Sequence, residues 1–318
     1  MRKITFFIFV FYVSIACSQV KKASVVGFYN VENLYDTIND PTKNDEQFLP
    51  TGEYRWTSER YNDHVKKLAQ VMDDMGNILA MGVAEIENSQ VLYDLLKARK
   101  SNKLGVVHYD SDDERGVDVG LFYDSTRLKL QTSGFIRFRT VTTDITTRDI
   151  LWAKFNFKKE SIYFMVNHWP SRRGGAEKSE PNRLKAAELA VQFMDSVMRI
   201  DPDANFIFMG DLNDYPQDVA PKKVAERLTP MITKESGKYG GSYNYRDEWD
   251  VLDHIMVSPT LFNTKKLKVV KNSGEIISFP YLIEQYKGKD VPFRVYAGSK
   301  YLGGYSDHLP VKIEVLLK

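Results

Sequence analysis

The chain of 318 residues carries 44 Lys+Arg against 42 Asp+Glu, with 43% hydrophobic and 13% aromatic residues, the profile of a folded globular protein and not of a disordered or fibrous one. A formal net charge of +2 is too small to draw in a polyanion by bulk attraction, so any contact with nucleic acid must come from a local basic patch. The single cysteine excludes an internal disulfide framework and a multi-cysteine zinc or iron–sulfur site, which leaves O and N ligands for any metal.

Met1-Arg2-Lys3, an apolar run over 4–13 and then Ser14-Ile15-Ala16-Cys17 read as an export signal. The run falls short of the roughly 20 apolar residues needed to span a bilayer. With Cys17 at the cleavage position, residues 1–17 resemble a bacterial lipoprotein signal whose Cys17 becomes the acylated first residue, so a membrane contact through lipid is expected. Plain secretion with cleavage near Ala16 is the alternative. From residue 18 to 318 there is no compositional seam and no repeat, which predicts one domain, expected to act as a monomer.

Residues 24–29 and 79–86 are apolar runs of strand length, and Val65, Leu68, Ala69, Met72 and Met75 recur between them at helical spacing. Thr57 or Ser58 can cap that helix, and Asn88 a second one carrying Val91, Leu92, Leu95 and Leu96. From Val106 onward, 117–123, 135–139, 150–157 and 162–167 are β-rich pieces joined by polar turns. A helix follows with Leu184, Ala187, Val191, Met194 and Met198 on one face, then strands over 205–209, 251–257 and 309–316. The order predicts an α+β sandwich of sheets packed on each other with helices outside.

Polar residues cluster at the strand ends: Asn30 and Glu32, Glu85 and Glu87, Asn167-His168, Gly210-Asp211-Leu212-Asn213, Asp253-His254 and Ser306-Asp307-His308. Burying such groups singly costs several kcal/mol each, so converging strand ends must satisfy one another or a cation. Oxygen donors of this kind suit Mg²⁺, Mn²⁺ or Ca²⁺. Three of the five histidines stand next to an Asn or Asp of these clusters.

The order and content of the motifs resemble the metal-dependent endonuclease/exonuclease/phosphatase superfamily with the deoxyribonuclease-I-like fold, over nearly the whole mature chain. The residues carrying the resemblance are Tyr29-Asn30-Val31-Glu32-Asn33-Leu34, Ala84-Glu85-Ile86-Glu87-Asn88, Arg115-Gly116-Val117-Asp118-Val119-Gly120-Leu121, Asn167-His168-Trp169, Gly210-Asp211-Leu212-Asn213-Asp214, Leu252-Asp253-His254-Ile255 and Ser306-Asp307-His308-Leu309-Pro310. It implies four layers, two mixed and mainly antiparallel sheets face to face, flanked by helices, with the active site along one rim. It further implies that Glu85 is the principal metal carboxylate, with Asn30 near the metal and Asp307 and Glu32 as further ligands. Asp211 would orient or deprotonate the attacking water and Asn213 would hold nucleophile and phosphate. His308, kept cationic by Asp253, would face the scissile phosphate, His168 would donate to a phosphoryl oxygen, and Tyr109 falls where some members place a phosphate-contacting tyrosine. Ala84 and His254 depart from common patterns without removing a catalytic group.

The expected function is an exported, divalent-metal-dependent phosphoesterase that cuts phosphodiesters, of nuclease type, with Arg172, Arg173, Lys178, Arg183 and Lys185 as local positive charge. An inositol or lipid phosphatase is one alternative, disfavoured because Leu252-Asp253-His254 replaces that branch's Cys-Asp-Arg. Another is a sphingomyelinase-like phosphodiesterase using Trp169 or 281–286 against a membrane. A surface binding protein without turnover is a third, opposed by the presence of Glu85, Asp211, Asn213, Asp253 and His308.

Overall fold

The computed structural model describes residues 23–101 and 103–318, so the signal segment and Cys17 lie outside the described residues. One sheet contains β1 (Ser24–Leu34), β2 (Ile78–Ile86), β3 (Leu104–His108) and β4 (Asp118–Asp124). Its order is Leu267–Val269, Val311–Leu317, β1, β2, β4, β3, with Glu275–Ile276 also on Val311–Leu317. The other runs β5 (Lys129–Ile136), β6 (Ile150–Phe157), β7 (Glu160–His168), β8 (Asn205–Asp211), Asp253–Val257, Thr229–Pro230.

Each sheet has one parallel pair at its centre, β1 with β2 and β7 with β8, and the other neighbours are antiparallel. A parallel pair needs a crossover, and α1 (Ser58–Asp74) and α3 (Ala176–Ile200) supply one for each sheet. The chain therefore builds two β-α-β units whose strands end at the same rim.

Alternation along the central strands divides the core. Phe164, Val166, Ile207 and Met209 join the larger cluster with β1, β2, α1 and α2 (Ser89–Ala98), whereas Tyr163, Met165, Phe206 and Phe208 pack under α3 and α4 (Val219–Ala225). Four layers result, as the family resemblance implies. At Gly82 a Cβ would come within 2.7 Å of the Met209 sulfur and 3.0 Å of Val166, so glycine is what lets the two sheets close.

Thr57 accepts from the Arg60 N–H at the start of α1, and Asn88 from Gln90 and Val91 at the start of α2. Several boundaries shift from the sequence pattern, β1 running on to Leu34 and the strand expected over 251–257 beginning at Asp253, and two regions show the reason. β5 covers Lys129–Ile136 where the pattern suggested 135–139, because this edge strand is largely exposed and lacks an apolar alternation. α3 begins at Ala176, upstream of Pro181, where the side chains of Ser179 and Arg183 bond to the carbonyls of Gly175 and Ala176.

Candidate active site

The rim is built by two irregular strands and three regular ones. Pairing of β1 with β2 holds to Asn30↔Ala84 and then shifts, and β2 shifts against β4 between Ala84 and Ile86. Glu32, Asn33 and Glu85 have φ of 52°, 52° and 65°, a left-handed backbone that costs non-glycine residues about 1–3 kcal/mol each. The irregularity turns Glu85 out from between the buried Ala84 and Ile86. Its carboxylate is held there by the Asn33 N–H at 3.0 Å and the Asn30 amide at 3.1 Å.

Asn30 joins the two sheets. Its NH2 group donates to Glu85 Oε1 and to Asp211 Oδ2, each at 3.1 Å, while its Oδ1 accepts the Glu32 N–H at 3.1 Å. Asn30 thus serves as a donor between two carboxylates of the expected metal site, with its oxygen on the Glu32 N–H.

In the second sheet the register sets His168 opposite Asp211 and Asp211 opposite Asp253. Gly210 is required there, since a Cβ would lie 2.4 Å from the Asn167 carbonyl oxygen. Asp211 Oδ2 is 3.7 Å from Nε2 of both His168 and His308. His308 Nδ1 donates to Asp253 Oδ2 at 2.7 Å, and Ser242 Oγ accepts the Asp253 N–H at 3.1 Å. Asn213, at φ 50°, donates its N–H to Asp211 Oδ1 and its amide to the Trp169 carbonyl.

Burial sets the charges of this cluster. It raises the Asp211 carboxyl to about 7, with Asp253 adding to the effect and His308 opposing it. It works against charge on His308, but the Asp253 and Asp211 carboxylates outweigh it and hold that imidazole protonated well above its usual range. His168 makes no hydrogen bond to a carboxylate, the nearest oxygens being those of Asp211 at 3.7 Å and Glu85 at 3.8 Å; burial, then the Arg148, Arg115 and His308 cations, pushes it far down and keeps it neutral.

A cavity of about 930 Å³ opens over Glu85, His168, Asp211, Asn213, Asp307 and His308. Its lining also includes Arg115, Arg148, Arg172 and Arg173, and Tyr215, Tyr243 and Tyr245 with Glu248 and Asp250. Arg115 and Arg148 received no role from the sequence. Both are held by Asp113, at 3.4 and 3.2 Å, and the buried Arg148 also donates to the Trp169 carbonyl at 2.9 Å. The one local signal at Arg148 is its charge two residues before the apolar strand β6. Arg172 lies over the Tyr215 ring at 4.1 Å and 3.6 Å from Asp218.

Four expectations are corrected by geometry. Glu32 is not in the cavity: its two oxygens accept the N–H groups of Tyr296 and Val295, at 3.0 and 2.7 Å. Tyr109 packs on Phe135 and shares a hydrogen bond with Ser133 Oγ outside the cavity. Arg183 is buried in an ion pair with Asp214 at 2.6 Å, so it adds no charge toward a phosphate. Trp169 is buried against Phe208 and touches no membrane. Asp307 does line the cavity, paired with Arg294 at 2.6 Å.

The donor set fits a divalent cation. Glu85 and Asp307 present carboxylate oxygens to the cavity, and Glu85 shares an amide with Asp211, the hard-oxygen chemistry that Mg²⁺ and Mn²⁺ take. The nearby Asp211, Asp253 and His308 have ligand spacing, but a protonated His308 bound to Asp253 offers no lone pair.

A model of the Endonuclease/Exonuclease/phosphatase family matches residues 25–317. None of the curated proteins matches the chain in sequence. Among solved structures, an endonuclease/exonuclease/phosphatase family protein from Bacteroides thetaiotaomicron is similar at 17% identity and a TM-score of 0.61, covering 93% of this chain and 96% of that one. A mannosyl-6-phosphatase from Bacteroides thetaiotaomicron is similar at 16% identity and 0.60, covering 92% and 100%. D. rerio TDP2 complexed with single-strand DNA product is similar at 16% identity and 0.58, covering 92% and 99%. At these identities the likeness to solved structures is one of fold.

Proposed function

The chain belongs to the endonuclease/exonuclease/phosphatase family, and on that premise we propose that it is an exported, divalent-metal-dependent hydrolase of phosphodiester bonds, nuclease-type in its preference for a backbone phosphate. The observation that carries this reading is the placing of one carboxylate, Asp211, between a neutral His168 and a cationic His308 at the floor of an arginine-walled cavity.

Phosphodiester hydrolysis needs charge on the phosphoryl oxygens neutralised and a water deprotonated as it attacks phosphorus. Asp211, with its carboxyl near about 7, is poised to take that proton at neutral pH, and Asn30 and Asn213 fix the carboxylate. His308 supplies a fixed positive donor, and the buried Asp253 keeps both its charge and its ring orientation. The neutral His168 can donate from Nε2 to a phosphoryl oxygen, and Arg115 and Arg148 face the same space. A divalent ion bound at Glu85 would add further neutralisation and acidify the water. Arginines and tyrosines line the cavity beyond the two histidines and give ester groups on both sides of a phosphate polar and aromatic surface, which favours a diester over a monoester.

The test is hydrolysis by the purified mature protein, with Mg²⁺ or Mn²⁺ and with chelator. Substrates are an aryl phosphodiester, single-stranded DNA, RNA, a simple phosphomonoester, an inositol phosphate and sphingomyelin. Diester cleavage abolished by chelator supports the reading. A clear preference for the monoester or the inositol phosphate moves the protein to the phosphatase branch, and sphingomyelin alone to the lipid headgroup branch.

A further inference from the structure

Beside the Glu85 and Asp211 pair stand two further acids, Asp307 in the cavity and Glu32 outside it, each already held by groups of the protein. Asp307 Oδ2 lies 2.6 Å from Arg294 Nη2. The two residues that follow Arg294 donate their N–H groups to Glu32, and Asp307 and Glu32 both act on the Arg294 charge. Asp307 is thus held by the Arg294 side chain, and Glu32 by the backbone just beyond it.

Backbone lacing fixes this arrangement. The Phe293 carbonyl accepts the N–H groups of Tyr305 at 2.6 Å and Ser306 at 3.3 Å, and the Arg294 carbonyl accepts that of Gly304 at 3.1 Å. A Cβ on Gly304 would lie 2.1 Å from the Phe293 oxygen, so only glycine permits the approach. α1 holds the far side of the loop, with His64 Nε2 at 2.9 Å from the Tyr305 carbonyl. Ser306 Oγ then bonds to the Asn30 carbonyl at 2.7 Å, tying the Arg294 side to the Glu85 side.

Phosphoryl-transfer sites that clamp both the attacking and the leaving oxygen commonly use two metal ions about 3.5–4 Å apart, each needing free carboxylate oxygens. Here Glu32 is taken up by two backbone N–H groups, and Asp307 by a guanidinium that stays charged at any working pH and presents several donors in a rigid fork. We propose that Arg294 is a positioning residue that stands as a fixed protein cation on the Asp307 side, so that the chain binds one divalent ion, at Glu85. The inference rests on the metal-dependent reading above.

Counting ions tests it. Mn²⁺ is titrated into the purified mature protein, with heat and the electron paramagnetic signal of free Mn²⁺ as readouts. One ion per wild-type chain is expected, none for Glu85→Gln, and one for Arg294→Lys. Arg294→Gln should take up a second, weaker ion that is lost again when Asp307→Asn is added. Two ions in the wild type, or one in a folded Arg294→Gln, overturn the proposal; if that variant does not fold, the wild-type count still decides. No Mn²⁺ bound to a folded wild type that cleaves diesters in chelator overturns the metal-dependent reading itself, and this proposal with it.

Discussion

Asp253 and His308, 55 residues apart in the chain, meet through a 2.7 Å hydrogen bond with both side chains buried. Breaking a buried pair from one side leaves an uncompensated charge and costs about 3–5 kcal/mol. Asp253→Asn should therefore destabilise the fold by about that much and lower kcat by roughly 10²- to 10⁴-fold, since His308 loses the charge it holds at neutral pH. The sign with pH follows from the raised imidazole: its stabilisation is complete below the unfolded value of about 6.5 and is lost as pH rises through the higher folded value. Denaturant unfolding at mildly acidic and strongly alkaline pH should show the gap between the proteins narrowing on the alkaline side. An unchanged gap sinks the assignment.

Asp211 behaves in the opposite sense. Its carboxyl is raised to about 7 in the fold against about 3.9 unfolded, so it costs stability progressively as pH rises between those values. Asp211→Asn should lose activity by orders of magnitude with little change in KM. Its stability relative to wild type should improve from pH 4 to 6. Unfolding midpoints at those two pH values, with kinetics on the same samples, decide it; a relative stability that falls over this interval contradicts the raised carboxyl.

The two arginines separate binding from folding. Arg115, 47% exposed at its side chain, should give a several-fold rise in KM on change to Ala with a melting temperature near wild type. Arg148 is buried on Asp113, so Arg148→Met should raise KM and also destabilise by about 3–5 kcal/mol. Steady-state kinetics beside thermal melts separate the two, and an unchanged KM in Arg115→Ala removes it from the substrate wall.

If the diester is a nucleic acid, the arginine and histidine donors reach phosphate and not base edges, so cleavage should show weak sequence preference. Affinity should fall with salt along a shallow slope that reports few neutralised phosphates. Binding of a labelled single strand across a salt series measures it, and a slope like that of an extended basic groove would contradict a compact site.

Cys17 governs where the enzyme acts under the export proposal. Cys17→Ser should release mature protein from membranes or stall its processing, because acyl chains partition at about 0.8 kcal/mol per buried CH₂. Fractionation with mass analysis of the mature first residue checks this, and soluble wild type without an acyl mass favours plain secretion.

The fold was legible wherever burial imposes a period. The strand over 150–157 coincides with β6, and the capping roles of Thr57 and Asn88 follow from residue type alone. β5 was displaced because an exposed edge leaves no alternation to read. Residue identity singled out most of the acids, amides and imidazoles that reach the rim, but not what each faces. Glu32 carries the right chemistry in the right motif, yet a left-handed turn delivers it to two backbone N–H groups. Asn30 reaches the expected place between Glu85 and Asp211, but its hydrogen bond from the Glu32 N–H is a contact that residue type alone does not give. Arg148 and Arg294 were missed because their function depends on Asp113 and Asp307, contacts that no local pattern encodes.

The two β-α-β units divide the reactive groups between them: Asn30 and Glu85 come from one, His168 and Asp211 from the other. Neither half owns a reaction centre. A break in the exposed turn around Val141 and Ile145 would separate them along the chain, yet the fragment holding β7 and β8 also keeps Val311–Leu317, which pairs with β1 in the opposite sheet. Two such fragments would each be inert and would regain turnover only when the last strand of the second pairs with β1 of the first. Turnover can therefore serve as a direct optical or colorimetric readout of reassembly, with no reporter domain attached.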